Sequence, residues 1–150
     1  MKFITLIVML LTLCTQQLDK PYRFAAAGPK TFDCSGFVVF CYKQTFDIDL
    51  PHSAKKIGYS NNYCTINEIA QLKEGDIVCF NTNRGDGDLS DHVGIYIGNN
   101  YFIHCSSGKH KVVISPLNEG YYNERFSWGK RILEEEFILE NFEKYLFDLP

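Results

Sequence analysis

Residues 31–37 read Thr31-Phe32-Asp33-Cys34-Ser35-Gly36-Phe37, and an apolar run through Tyr42 follows at once. Asp33 and Ser35 are residue types that favour a helix N-terminus. The stretch therefore predicts a helix from about Asp33 to Gln44, buried against a sheet. A thiol in the first turn of such a helix meets unpaired N–H groups and the positive end of the helix dipole. That field favours thiolate, and cysteines so placed have pKa values of ~3.5–7.5. Taken alone, the stretch is better described as a core cysteine beside a cap. The rest of the chain has to decide.

Before this helix, Pro21 to Pro29 is an irregular lead-in, which Gly28-Pro29 keeps from becoming a long helix. After it, Ser53 to Ile57 predicts a short helix and Asn67 to Leu72 a polar connection. From Gly75 the hydrophobic period changes. Asp76–Phe80, Val93–Ile97 and Tyr101–Cys105 predict strands, the last two joined by Gly98-Asn99-Asn100. Ser106-Ser107-Gly108-Lys109 turns into a strand over Lys111–Ile114, and a last strand fits Lys130–Leu133. Asn81–Asp91 is a Gly/Asp/Asn-rich loop. Helices followed by successive hairpins make an α+β arrangement, with helices packed on an antiparallel sheet.

The 150 residues are 45% hydrophobic and 15% aromatic, enough for one compact core and too few for two ordinary domains. A net charge of -3 and the lack of any Lys/Arg-rich block exclude a nucleic-acid partner from the reading. Met1-Lys2 is a short basic start to an apolar run, Phe3–Cys14, that is too short to span a bilayer and has the form of a secretory signal. Residues 1–16 are assigned to that signal, with Thr12 and Cys14 small enough to precede a cleavage site. The alternative is a buried N-terminal strand or helix. A lipid-modified Cys14 fits poorly behind the bulky Leu13. Six cysteines become five if Cys14 leaves, so at least one thiol is free. Cys41 and Cys79 read as core and Cys64 as part of a polar loop; one disulfide among the cysteines other than Cys34 stays open.

A thiolate nucleophile needs a base, and imidazole is the usual one. A three-residue connection at Gly98-Asn99-Asn100 pairs Ile97 with Tyr101, Ile95 with Ile103 and Gly94 with His104. His92 and His104 then share a sheet face one diagonal step apart, ~7–8 Å. A two-residue loop would place them on opposite faces. Gly94 removes a side chain that would crowd His104, while Val93, Ile95, Ile103 and Cys105 face the core. His92 reads as base and His104 as the group fixing its tautomer. His52 and His110 sit in turns and read as surface. Cys34, His92 and His104 as zinc ligands is the rival reading, without finger-like spacing to support it.

The runs PYRFAAAGPKTFDCSGF, LPHSAKKI, LKEGDIVCF and DHVGIYIGNNYFIHCSSG resemble the NlpC-type cysteine peptidases, papain-like enzymes that cut the peptide stems of bacterial cell walls. The resemblance runs from about Pro21 to Leu133. It implies Cys34 as nucleophile, His92 as base and His104 as the residue orienting it. Tyr22 matches a tyrosine beside the nucleophile, and Asp33 and Ser35 match positions that bind the amino end of the substrate. It implies cleavage between D-isoglutamate and the following diamino acid, with no cofactor and no metal. The chain departs from the family pattern at Ala25-Ala26 (usually Gly-Gly), at His52 (usually arginine) and at Cys105 (usually alanine). Residues 17–150 are expected to form one catalytic domain, with a helical extension from about Glu134. The expected protein is a monomer acting on peptidoglycan or muropeptides, free of membrane once the signal is removed. Its expected place is secreted or extracytoplasmic, or a phagocytic or lysosomal compartment in a eukaryotic host. The rival functions are another thiol amidase or acyltransferase on the same fold, or a non-catalytic wall-binding module.

Overall fold

Asp33 caps the central helix: its carboxylate accepts the Gly36 N–H at 2.7 Å, and α2 runs Cys34–Phe46. The computed structural model describes residues 2–136. Three further helices are α1 (Lys2–Gln16), α3 (Ala54–Gly58) and α4 (Gly120–Arg125). The strands are β1 (Cys64–Ile66), β2 (Ile77–Phe80), β3 (His92–Gly98), β4 (Tyr101–Ser106), β5 (Lys111–Pro116) and β6 (Phe126–Arg131). They form one antiparallel sheet in the order β1-β6-β2-β3-β4-β5. This is the expected α+β architecture.

Strand alternation divides the core into two layers. On one face Ile77, Cys79, Val93, Ile95, Ile103 and Cys105 pack against Phe37, Val38, Cys41 and Tyr42 of α2. On the other, Val78, Phe80, Tyr96, Phe102 and Leu117 form a smaller cluster with Tyr122 and Phe126 against it. Both layers exclude water, which is why the β2 residues are all buried.

Several boundaries differ from the sequence reading. Cys64 lies in β1, although exposed, because its pairing partner Arg131 is far along the chain. The last strand starts at Phe126 and ends at Arg131, with Ile132 and Leu133 buried beyond it. The helical extension expected from Glu134 lies outside the described residues from 137 onward. The apolar run read as a signal is a helix whose Leu6, Ile7, Leu10 and Cys14 are buried in the core shared with α2. Among the described residues no helix is long and apolar enough to cross a membrane, and the described cysteines are all free thiols.

Candidate active site

The start of α2 is crossed by the lead-in segment. A Cβ on Gly36 would lie 2.0 Å from the Ala26 carbonyl oxygen, so only glycine lets the two backbones meet. The Asp33 N–H donates to that same oxygen at 2.8 Å. Ala25 holds a left-handed φ of 62, a conformation that suits the glycine usual in the resembled family.

Cys34 is half-buried at the first position of α2, where the backbone N–H groups of Val93, Ser35 and Cys34 itself favour its thiolate. These dipoles pull its pKa down, as helix-start placement suggested. Burial outweighs them, and the nearby Asp33 carboxylate adds to it, so the thiol is pushed up to about 11. The expected resting thiolate is therefore corrected: desolvation beats the helix end.

The histidines come from the β3–β4 hairpin. The expected three-residue turn is instead a two-residue turn, Asn99-Asn100, both with positive φ (51 and 63) as a type I′ turn requires. Gly98 pairs with Tyr101, and a bulge between Tyr96 and Gly98 absorbs the extra residue. Ile95 therefore still faces Ile103, and His92 and His104 keep one face. A Cβ on Gly94 would meet the His104 Cβ at 2.9 Å, so that glycine is needed opposite the imidazole.

His92 Nε2 lies 2.8 Å from His104 Nδ1, and His104 Nε2 lies 2.8 Å from Ser115 Oγ on β5. Burial lowers His92 to about 4 against the opposing pull of Asp91. Burial, then the neighbouring His92, lowers fully buried His104 well below the ordinary range. Aromatic rings wall in the pair. Phe102 stacks on His104 at 4.4 Å, and Tyr122 stacks on His92 at 5.9 Å while meeting His104 edge-on at 4.9 Å.

The other expected site residues gather at the start of α2. Ser35 is buried and its hydroxyl donates to Asp33 Oδ1 at 3.4 Å. Tyr22 is half-buried, and its phenol is raised by burial and by the nearby Cys34 and Asp33. The structure thus places Tyr22, Asp33, Cys34 and Ser35 on one wall, and His92 and His104 on the strand hairpin against which α2 packs.

Three neighbours were missed. His52 is exposed, as its surface reading had it, yet it sits 2.8 Å from Asp33 Oδ1, a contact not foreseen. Its place after Leu-Pro, where the family has arginine, was the available signal. Ser115 and Tyr122 carried none, because β5 and α4 reach the histidines only through the fold. A separate cavity of about 520 Å³ is lined by Ile4, Lys73, Glu74 and Leu133 beside the Asp76–Arg131 ion pair and touches none of these residues. Among the described residues no group of three or more His, Cys, Asp or Glu side chains could hold a metal ion.

The NlpC/P60 family model matches residues 19–131. Murein DD-endopeptidase MepH of Escherichia coli is 37% identical over 119 residues, covering 79% of this chain and 43% of that protein. Probable endopeptidase NlpC of Escherichia coli is 38% identical over 112 residues, covering 75% of this chain and 69% of that protein. The solved structure of NlpC2 from Trichomonas vaginalis superposes with a TM-score of 0.73 at 31% identity, covering 81% of this chain and 45% of that one. The chain spans about half the length of the first curated relatives it matches.

Proposed function

The chain belongs to the NlpC/P60 family, and from that premise we propose that it is an exported cysteine endopeptidase hydrolysing peptidoglycan stem peptides. The observation that carries the reading is the file of side chains His92–His104–Ser115, linked at 2.8 Å and 2.8 Å, beside a thiol at a helix start.

The file sets the proton positions. For His92 to act as base, its Nδ1 must hold a lone pair, so Nε2–H donates to His104 Nδ1. His104 then carries its proton on Nε2 and donates it to Ser115 Oγ. Every link is satisfied by neutral imidazoles, in keeping with the burial that lowers both histidines. Thiolate and imidazolium are each disfavoured alone; one proton transfer from Cys34 to His92 creates them as a pair whose charges attract.

In the proposed reaction the Cys34 sulfur attacks the amide carbonyl carbon as its proton passes to His92. The Cys34 N–H, with the Tyr22 hydroxyl as side-chain donor, stabilises the oxyanion. The C–N bond breaks as His92 returns the proton to the leaving amine. Water then attacks the thioester, giving one proton through His92 back to sulfur and releasing the acid. Asp33 and Ser35 hold the amino end of the stem, which supports the D-γ-glutamyl–diamino acid bond as the target.

One relative, MepH, is a murein DD-endopeptidase, which favours a second reading: cleavage of the D,D cross-link between stems. Mass spectrometry of defined muropeptides after incubation separates the two. Uncross-linked stems cut after D-isoglutamate support the first; cut dimers with intact monomers support the second. If neither substrate is cut by the wild-type protein, the stem-endopeptidase reading fails and the rivals, another thiol amidase or acyltransferase or a wall-binding module, take its place.

A further inference from the structure

Cys105 is fully buried on β4 and faces the α2 layer, at a position where the chain departs from the family pattern. Its thiol donates to the Phe32 carbonyl oxygen at 3.2 Å, two residues before Cys34. The sheet register brings it to the nucleophile from the other side. Ile95 pairs with Ile103, and a Cβ on Gly94 would lie 2.9 Å from the His104 Cβ. The pairing thus runs on to set Cys105 opposite Val93, one of the residues whose N–H favours the Cys34 thiolate. We propose that Cys105 is a resolving thiol: once a hydroperoxide has oxidised Cys34, it closes a Cys34–Cys105 disulfide that switches the enzyme off reversibly. The inference goes beyond the endopeptidase reading, since it needs the reactivity of Cys34 but no particular substrate bond.

The proton transfer from Cys34 to His92 that arms the sulfur against an amide also arms it against a peroxide. The thiolate attacks one oxygen of hydrogen peroxide. The O–O bond breaks, and the departing hydroxide takes the proton from His92 to become water. Cys34 is thereby oxidised to a sulfenic acid and the peroxide reduced. The Cys105 sulfur then attacks the Cys34 sulfur, the S–O bond breaks, and the hydroxyl leaves with the Cys105 proton as a second water. Two thiols and one peroxide become one disulfide and two waters.

Burial separates the two roles. Half-buried Cys34 is open to a small peroxide, whereas Cys105 is shut off from outside thiols and oxidants. In the resting enzyme burial pushes the Cys105 thiol up to about 12, and the nearby Cys34 and Asp33 push the same way. It therefore stays protonated and does not compete for substrate. Conversion of Cys34 to a neutral sulfenic acid removes one of those opposing charges at the moment Cys105 must attack. Cys79 also neighbours Val93, from β2. Its sulfur, however, is turned to α3, 3.5 Å from where a Cβ on Gly58 would stand.

Peroxide treatment followed by disulfide mapping tests this. The protein is exposed to hydrogen peroxide, remaining thiols are blocked with iodoacetamide, and cross-linked peptides are identified by mass spectrometry. Stem turnover is measured alongside, before and after dithiothreitol. Wild type should show the peptide holding Cys34 joined to the one holding Cys105, lose its turnover, and regain it with dithiothreitol. Cys105→Ser keeps a hydroxyl to donate to Phe32, and Cys105→Ala keeps an apolar side chain; untreated, both should cut stems like wild type. Under peroxide both should carry Cys34 to the sulfinic acid and lose turnover for good. Oxidised wild type with Cys34 unlinked to Cys105, or linked to Cys79 instead, overturns the proposal. So does recovery of the Cys105 variants equal to that of wild type. A wild type that cuts no stem but links Cys34 to Cys105 sinks the endopeptidase reading and leaves the disulfide standing.

Discussion

His52 Nε2 lies 2.8 Å from Asp33 Oδ1, the same oxygen that caps α2 through the Gly36 N–H. Asp33 thus has a structural duty toward the helix as well as its proposed duty toward the substrate amine. Substitutions can separate them. Asn is as good an N-cap as Asp, so Asp33→Asn should keep the fold and raise KM more than it lowers kcat. Asp33→Ala should raise KM as well and also cost about 1 kcal/mol of stability. His52→Ala should leave stability within about 1 kcal/mol, since the pair is partly exposed, and should change KM rather than kcat. Urea titration beside steady-state kinetics checks all three. An unchanged KM in Asp33→Asn removes Asp33 from substrate binding.

Cys34→Ala should abolish turnover while leaving the unfolding midpoint close to wild type, because the half-buried thiol fills little core volume. Cys41→Ala and Cys79→Ala should do the reverse. Both side chains are fully buried in the layer under α2, so truncation should cost roughly 1–2 kcal/mol and spare the chemistry. His92→Ala should be as severe as Cys34→Ala, and the double variant no worse, since nucleophile and base act as one unit.

The buried histidines make stability depend on pH in a defined direction. His92 falls to about 4 in the folded chain from an ordinary 6.5. Between those values the unfolded chain binds the proton and the folded chain does not, so stability rises with pH. The contribution is complete above about pH 6.5 and is lost as pH falls toward 4; it amounts to roughly 3 kcal/mol at most. His104, lowered by the same burial, acts in the same direction. Unfolding midpoints at pH 7 and pH 4.5 should differ more in wild type than in His92→Asn. The acid limb of kcat/KM should lie near pH 4. A limb near 6.5 would show a solvated His92.

Ser115 and Tyr122 should act on rate through the histidines. Ser115→Ala removes the acceptor of the His104 Nε2 proton, and should lower kcat with little change in KM. Tyr122→Phe keeps the rings that cover His92 and His104 and should stay near wild type. Tyr122→Ala opens that cover to water and should lower kcat roughly tenfold, part of what general-base catalysis contributes. Because water entry also relieves His92, the acid limb should move upward in Tyr122→Ala. A rate loss without that movement would mark Tyr122 as packing alone.

Much of this arrangement was legible because it is local. The Asp33 cap, the helix after it and the alternation in β3 and β4 each depend on residues close in sequence. The shared face of His92 and His104 was read correctly through a wrong turn. A two-residue turn and a one-residue bulge together shift the register as much as the expected three-residue loop, and no short-range signal distinguishes the two. What could not be read is what long-range pairing creates. β1 exists because Cys64–Ile66 pairs with Gly129–Arg131. Ser115 reaches His104 across the β4–β5 ladder. Tyr122 reaches His92 from a six-residue helix with no side-chain cap to announce it. The charge state of Cys34 was misjudged for a related reason: the helix start is visible in sequence, but the depth at which the fold buries it is not.

The N-terminal helix decides between export and retention, and Cys41 reports on it. Cys41 is buried in the core that α1 and its Cys14 share with α2, and burial, then the neighbouring Cys14, raises its pKa well above the ordinary value. If residues 1–16 are a signal, N-terminal sequencing of the exported protein should begin between about Cys14 and Leu18. Removal takes away Leu6, Ile7 and Leu10 as well as Cys14, and so uncovers the face of α2 that they bury. Iodoacetamide should then label Cys41 in a version starting at Gln17 much faster than in the chain starting at Met1, where the thiol is both hidden and protonated. The trimmed protein should also unfold at a lower urea concentration. An exported product that still begins at Met1, with Cys41 protected, would refute signal removal and make α1 a permanent part of the core.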